Sequence, residues 1–572
     1  MLPVGDINVI VVTDVHSWVS GHSPIHEPSL DADYGSVLSF YEHVRDSIGG
    51  DGNLFFVMNG DFMDGTGLTT NPPDFLLPIL EHMPWSAVNI GNHELYANST
   101  VQSIRKPGGF SDWWGGRYLT SNVVLASSDD PIGSRYTVMH GGDGQTKVLT
   151  FGFLYDMADA VATVTVQRVE DAVKSKWFRS ALKEEYDAIL VLAHMDHQDP
   201  LVQVILKAIR SAIGHTVPVQ FITGHTHIRA YDNATDACST SFEAGRYLDT
   251  VGFVSMSGKN SSCKFKHAFI DGNVEALRSA ANVGQLDTDN GQALTDLIKE
   301  TQGRLGLLDI VGCSPQTFSY VYDLNATDSF WRLYLDEIVP NSTIFSLGNA
   351  THKKILFQDT GAFRYDLFNG TVTMNDVDIL SPFDDTFYQL SSGIPGHVIQ
   401  SAYERISEEM KFMMNVEQPI PSAAMSPPRR PAANDTYDLY AGKFGIENVV
   451  KILSDELGFD VRPMELGNDL STNSLIIDYM KENWACPSLV DDNHDTPKPS
   501  IPHHMPHVDV SGVAKIISNG LSTPVWIGVG VLYFAVVAGF LLFRSRKRVG
   551  RERFASENSQ AELEPVSDAV FA

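Results

Sequence analysis

Five apolar runs in the first 230 residues, INVIVVT, LFFVMN, SAVNI, AILVLA and VQFIT, each end in a tight cluster of metal-ligand residue types. In order, the clusters are Asp14-Val15-His16, Gly60-Asp61-Phe62-Met63-Asp64, Gly91-Asn92-His93-Glu94, His194 and Gly224-His225-Thr226-His227. Short runs rich in Val, Ile and Phe read as strands buried on both faces. In open α/β sheets, ligands bind just beyond the carboxyl ends of such strands. The expectation is therefore five ligand-bearing loops along one edge of one sheet, converging on a single metal-dependent hydrolytic site.

Spacing sharpens that expectation. In Asp14-x-His16 and in His225-x-His227 the paired side chains are two residues apart and can point the same way from a strand end. Glycine at 60, 91 and 224 permits a sharp turn where the backbone must clear the ions. A set of Asp, Asn and His suits Mn, Fe or Zn and lacks the thiolates of a structural zinc site. His197 competes with His194 as a ligand; His194 is favoured because it directly follows its strand.

As they stand here, these residues resemble the calcineurin-like metallophosphoesterase superfamily, with its pattern D-x-H, G-D-x-x-D, G-N-H-[DE], H and G-H-x-H. The resemblance spans residues 7 to about 270, and all five blocks match. It implies a four-layer α/β/β/α sandwich and two divalent metal ions, with Mn, Zn and Fe as the candidates. Asp14, His16 and His227 would hold one ion, Asn92, His194 and His225 the other, and Asp61 would bridge them. A hydroxide bridging the metals would then attack phosphorus. His93 would not be a ligand but would face the phosphate and assist the leaving group. The 5′-nucleotidase branch usually carries an Asp three residues after this histidine, where this chain has Tyr96. Protein-phosphatase-like branches use the second Asp of G-D-x-x-D instead, which makes Asp64 the partner expected to orient His93.

The 572 residues exceed one core and suggest two or three domains. A formal charge of −29, from 70 acidic and 41 basic residues, excludes nucleic acid as the expected partner. It does not exclude a small phosphate ester, because two divalent ions invert the local potential.

Residues 524–543 are apolar and are followed at once by RSRKRVGRER. About twenty such residues span a bilayer core, and the basic cluster reads as cytoplasmic. The expectation is a type I membrane protein whose body is extracellular or in a vacuolar or endomembrane lumen. Sequons at Asn98, Asn233, Asn260, Asn325, Asn341, Asn349, Asn369 and Asn434 all precede the span. So do Cys238, Cys263, Cys313 and Cys486, an even set that favours oxidation. The expected pairs are 238–263 and 313–486. Met1–Asp6 enters the first strand without a signal peptide. An incomplete start is the preferred explanation, and a tail-anchored cytosolic enzyme the alternative.

The expected organisation is a phosphoesterase domain over 1–290, a second α/β domain over 291–486, a Pro/His-rich stalk over 487–523, the span over 524–543 and a cytoplasmic tail over 544–572. In the second domain, Asp359-Thr-Gly-Ala-Phe-Arg364, then Val372–Val377 and Leu380-Ser-Pro-Phe383, resembles the carboxyl-terminal domain of 5′-nucleotidases, where N-G-G-G-I-R and L-P-F recur. By position, Arg364 would contact the nucleotide and Phe383 would stack on its base; Tyr437 and Tyr440 are further stacking candidates. The implied activity is hydrolysis of phosphate monoesters, with nucleoside 5′-monophosphates as substrates. The alternatives are a broad phosphomonoesterase, a phosphodiesterase, or a non-catalytic membrane receptor that keeps the fold.

Overall fold

A computed structural model of the chain describes residues 2–486 apart from 50–51, 234–235, 259–261, 384, 415–422, 428–430, 444–445 and 468. The stalk, apolar span and basic tail read from the sequence lie outside the described residues, as does Asn260. Among the described residues no helix is long and apolar enough to cross a membrane.

The apolar runs form strands as their composition predicts. β1 (Ile7–Val12), β2 (Leu54–Asn59), β3 (Ala87–Asn89) and β4 (Tyr118–Leu119) lie side by side in parallel. The chain continues through β5 (Val123–Leu125), β6 (Tyr136–His140), β7 (Lys147–Leu154), β8 (Val164–Val166), β9 (Ala188–His194), β10 (Val219–Thr223), β11 (Arg229–Asn233) and β12 (Ser239–Ala244). β5 and β8 pair off as a separate ribbon, and the others form a second sheet in the order β11-β12-β10-β9-β7-β6. β13 (Thr250–Met256) and β14 (Phe265–Asp271) return antiparallel to the first sheet, giving β14-β13-β1-β2-β3-β4.

The five ligand-bearing strands are therefore shared between two sheets, three in one and two in the other, which corrects the expectation of a single sheet. Strand periodicity explains how the sheets stack. Ile7, Val9 and Val11 pack with Val57, Leu190, Leu192 and Ile222 in a core between the sheets. Ile10 and Val12 face the other way, onto the helices Tyr34–Ile48 and Asp289–Arg304. Leu149, Val191 and Phe221 of the second sheet pack on Ile205 and Ile209 of the helix Pro200–Ile213. The result is four layers, α/β/β/α. Helix Asp289–Arg304 begins at the expected domain boundary, yet it places Leu294 and Ile298 in the first domain's core.

The second domain pairs β15 (Ile310–Ser314) with β17 (Gly370–Thr373). Its main sheet is built from β16 (Lys353–Asp359), β18 (Phe387–Pro395), β19 (Ala423–Ser426), β20 (Thr436–Gly442) and β21 (Met464–Glu465). Their order is β19-β16-β20-β18-β21. Helix Ile446–Leu457 covers one face through Ile452 and Leu453, and Thr472–Asn483 contributes Leu475 and Ile476 to the other core. β20 lies inside this sheet, so both its faces are covered and Tyr437 and Tyr440 are core residues. The idea that they stack on a base is thereby corrected.

Both expected disulfides are present. Cys238 pairs with Cys263 (Cα–Cα 5.1 Å) and Cys313 with Cys486 (4.9 Å). The second ties the opening of the second domain to its end. The sequon residues Asn98, Asn325, Asn341, Asn349, Asn369 and Asn434 are exposed, and Asn233 ends β11.

Candidate metal centre and substrate cleft

The loops after β1, β2, β3, β9 and β10 bring their polar residues to one point where the two sheets meet. Ligand-type atoms of Asp14, His16 and His227 lie within 4.8 Å of one another, as do those of Asp61, His194 and His225. His16 Nε2 is 3.1 Å from His227 Nε2 and 3.7 Å from Asp61 Oδ2. His194 Nε2 is 3.0 Å from Asp61 Oδ2 and 3.1 Å from Asn92 Oδ1. Asp61 thus stands between the two groups, and all seven residues read as ligands converge. His197 turns away, to Asp196 at 3.1 Å and Asp232 at 3.3 Å, and takes no part.

Backbone conformation shows what this convergence costs. Asp14, His16, Asp61, His225 and His227 have positive φ, as does Asp64. Such a conformation strains a residue that carries a Cβ, and it persists only where surrounding structure fixes it. Gly91 meets a different need: a Cβ there would collide with the Asp61 carboxylate.

The donor set fits a pair of divalent cations. It contains two carboxylates, one amide oxygen and four imidazoles. Two tautomers are fixed from behind. His16 Nδ1 faces the carbonyls of Met63 (2.9 Å) and Asp64 (3.0 Å), and His194 Nδ1 that of Asn59 (2.8 Å). Each ring therefore carries its hydrogen on Nδ1 and turns Nε2 to the centre, as a metal-binding histidine does. Without cations only shared protons can join these atoms. Burial, then the neighbouring histidine and arginine cations, lowers the proton affinity of His16 and His227 and takes His225 down to about 4. Burial also opposes a proton on His194, but the Asp61 and Asp14 carboxylates prevail and raise it to about 10. Asn92 Nδ2 donates to the Tyr96 hydroxyl at 3.0 Å, which turns Oδ1 toward the cluster.

His93 borders this group, its ring centroid 4.6 Å from that of His16. Its Nδ1 is 2.9 Å from Asp64 Oδ2, so the orienting carboxylate is the one the resemblance implied. Tyr96, which replaces the usual acid, packs edge-on against His93 at 5.2 Å. Burial works against a proton on His93, but the Asp61 and Asp64 carboxylates outweigh it and raise its pKa.

The second domain completes the cleft. The turn Thr360–Ala362, capped by Asp359 Oδ1 on Gly361 N at 2.7 Å, leads into Arg364. Helix Met374–Leu380, opened by the Thr373–Asp376 capping box, leads out to Phe383. Arg364 N donates to Leu380 O at 2.9 Å and joins the two segments. The Arg364 guanidinium lies 5.2 Å from the Phe383 ring centroid, and Phe383 faces His93 at 6.0 Å. Both residues matched to the 5′-nucleotidase pattern thus stand beside the metal centre.

Three features escaped the sequence reading. Buried Glu94 accepts backbone N–H groups of Asp61, Phe62, Met63 and Gly91 at 2.7–3.2 Å; its position in G-N-H-E was visible but its role was not. Glu243, on β12, takes Thr226 Oγ1 at 2.7 Å and so holds the Gly224–His227 loop. Arg246 approaches His227 from two residues past β12. No local pattern marks Glu243 or Arg246.

Comparison with known proteins agrees with this architecture. Residues 7–229 match the calcineurin-like phosphoesterase family, and residues 318–440 the NAD nucleotidase C-terminal domain. The chain belongs to the calcineurin-like phosphoesterases: it is a metallophosphoesterase, a hydrolase, with a second domain like the NAD nucleotidase C-terminal domain. An uncharacterized protein of Saccharomyces cerevisiae is 30% identical over 413 residues, 67% of this chain and 67% of the relative. A secreted protein of Arthroderma benhamiae is 27% identical over 477 residues, 72% of this chain and 70% of that one. Among solved structures, a 5′-nucleotidase from Candida albicans superposes with a TM-score of 0.75 at 23% identity, covering 84% of this chain and 99% of that one. A 5′-nucleotidase precursor from Thermus thermophilus gives 0.62 at 15% identity, covering 84% and 97%. These two likenesses show a shared fold.

Proposed function

We propose that the chain hydrolyses phosphate monoesters, with nucleoside 5′-monophosphates as its substrate class, at two divalent cations. Asp14, His16 and His227 would hold one cation, Asn92, His194 and His225 the other, and Asp61 would serve both. When bound, such a pair supplies charge neutralisation at the phosphoryl oxygens and an activated water. His93, oriented by Asp64 and with its proton affinity raised by the Asp61 and Asp64 carboxylates against the effect of burial, is placed to give a proton to the leaving oxygen. Arg364 meets the phosphate and Phe383 offers a face to the base. The observation that carries the nucleotide reading is the position of these two residues, from a different domain, against His93.

Assays of the metal-loaded protein against nucleoside monophosphates, diesters and p-nitrophenyl phosphate test it. Preference for nucleotides is expected, and Arg364→Ala should raise their KM far more than that of the artificial ester. Equal losses on both would refute a nucleotide pocket. Faster turnover of diesters would make it a phosphodiesterase.

The type I topology is proposed as well. The apolar residues 524–543, the exposed sequons, the disulfides and the name of the secreted Arthroderma relative support it. A mobility shift on deglycosylating the native protein is the expected result, and its absence at every sequon would favour the cytosolic alternative.

A further inference from the structure

Arg246 stands outside the ligand set and the His93–Asp64 pair, yet it faces the same cleft. It follows β12 on the turn Gly245–Leu248, where Tyr247 and Leu248 have positive φ. Its guanidinium lies over the Tyr247 ring, 4.7 Å from the centroid. Nη2 donates to the Tyr320 hydroxyl of the second domain at 3.3 Å, and Nη1 lies 3.5 Å from His227 Nδ1. The side chain is half-buried, and among the described residues it forms no ion pair. A guanidinium keeps its charge at any working pH and offers five N–H donors, while only one carboxyl-free contact, the Tyr320 oxygen, engages it as a clear acceptor.

The proposed ligation of the centre sharpens this imbalance. His227 turns Nε2 toward Asp14 Oδ1 (3.5 Å) and His16 Nε2 (3.1 Å). With Nε2 on a cation, the neutral ring carries its hydrogen on Nδ1. The Arg246–His227 contact then sets one N–H donor against another, and the group that suits both is a shared anionic oxygen. Arg364, from the other domain, is likewise without an ion pair among the described residues. Arg246 reaches the centre at His227, and Arg364 reaches it over Phe383, whose ring faces His93. Two arginines, one from each domain, therefore border one metal centre with donors to spare.

From this geometry we infer that Arg246 is a specificity-determining residue that binds a phosphoryl oxygen of the substrate together with His227 Nδ1–H and opposite Arg364. The inference rests on the metal ligation and phosphate-ester reading proposed above. The oxygen has two possible sources, the phosphoryl group under attack or a second phosphate joined to it. Tyr320 positions the guanidinium from the second domain, so the contact forms only when the two domains are docked.

Equilibrium binding separates this inference from the catalytic reading, because it needs no turnover. The full chain, loaded with zinc, is titrated calorimetrically with inorganic phosphate and with pyrophosphate, and metal content is measured on the same samples. Arg246→Ala should keep its zinc and bind at least one probe about 10–100-fold more weakly, the range for losing a charge-assisted pair. Arg246→Lys should recover part of that loss, since it keeps the charge without the fork. Weakening of both probes assigns the contact to the phosphoryl group under attack; weakening of pyrophosphate alone assigns it to a second phosphate. Unchanged binding of both with zinc retained overturns the inference. So does loss of zinc from Arg246→Ala, which would make Arg246 a support for His227. Unmodified protein that binds phosphate yet hydrolyses no nucleotide would sink the nucleotide reading and leave Arg246 standing.

Discussion

Glu94 gives the sharpest test of how the centre is held. Its Oε2 accepts from Asp61 N (3.1 Å) and Gly91 N (2.7 Å), and its Oε1 from Phe62 N (3.0 Å) and Met63 N (3.2 Å). Burial, with Asp61 nearby, pushes its pKa up to about 8, whereas these backbone donors favour the carboxylate. A protonated Glu94 would set an O–H among N–H donors with nothing to receive it, so the geometry favours the ionised form. Glu94→Gln is isosteric and leaves no cavity, but its amide NH₂ must replace one oxygen and face two N–H groups. Two hydrogen bonds to a charged acceptor are lost, each worth about 1.5–3 kcal/mol, so the substitution should cost about 3–6 kcal/mol. That is a large part of a typical stability of about 5–15 kcal/mol. Urea unfolding of the metal-stripped protein reads this cost separately from metal binding. A loss below about 1 kcal/mol would show that Glu94 is already neutral in the native state and would refute this account of the loop.

Asp61→Asn should empty both metal positions, since one carboxylate serves both; two metals per chain by elemental analysis would refute the bridge. His93→Ala should keep the metals and lower turnover by about 10²–10⁴-fold, and metal loss instead would make His93 a ligand. Breaking the pair that closes 173 residues, by Cys313→Ser, should cost up to about 5 kcal/mol in the chain-entropy model, more than Cys238→Ser, whose loop is 25 residues. The reverse order in denaturant would contradict that model. Burial raises the pKa of Glu27, but hydrogen bonds from His22 and Tyr365 outweigh it and leave it lowered. A lowered carboxylate contributes stability that is whole above its unfolded value near 4.5 and is lost as pH falls through the folded value. Glu27→Gln should therefore flatten the stability–pH curve below pH 4.5 and leave its slope unchanged above it.

The metal side of the cleft was legible because each pair of ligands is local. Asp14 and His16, or His225 and His227, are two residues apart at a strand end, and a short sequence window contains the whole signal. Asp64 was legible only through the resemblance, in which the second Asp of the G-D-x-x-D block orients the histidine. Sheet membership was not legible. INVIVVT and VQFIT are apolar on both faces, so their composition shows that each strand is covered without showing which strands lie beside it. The tyrosines of β20 misled for a related reason. Tyr437 and Tyr440 are three residues apart on one strand and so point to opposite faces, each into its own core, and their aromatic character alone did not show that neither is exposed.

The substrate side depends on contacts between distant segments, where residue identity says little without the fold. Arg364 and Phe383 are 19 positions apart and meet only because Arg364 N bonds to Leu380 O. Arg246 gains its place from Tyr320, and Gly67 N bonds Asn375 Oδ1 across the same boundary at 3.2 Å. Tyr365, next to Arg364, gives its hydroxyl to Glu27 at 2.6 Å and lies 3.0 Å from His22 Nδ1. His22 Nε2 in turn is 2.7 Å from the carbonyl of Tyr247, the residue after Arg246. Both arginines are thus tied to one polar network that crosses between the domains. Since the proposed metal ligands all come from the first domain, a change in how the domains dock would alter which esters are held while leaving the metals in place. Tyr365→Phe makes this measurable: it should raise KM for nucleotides with kcat and metal content little changed. A fall in kcat at constant KM would show that the network serves the chemical step instead.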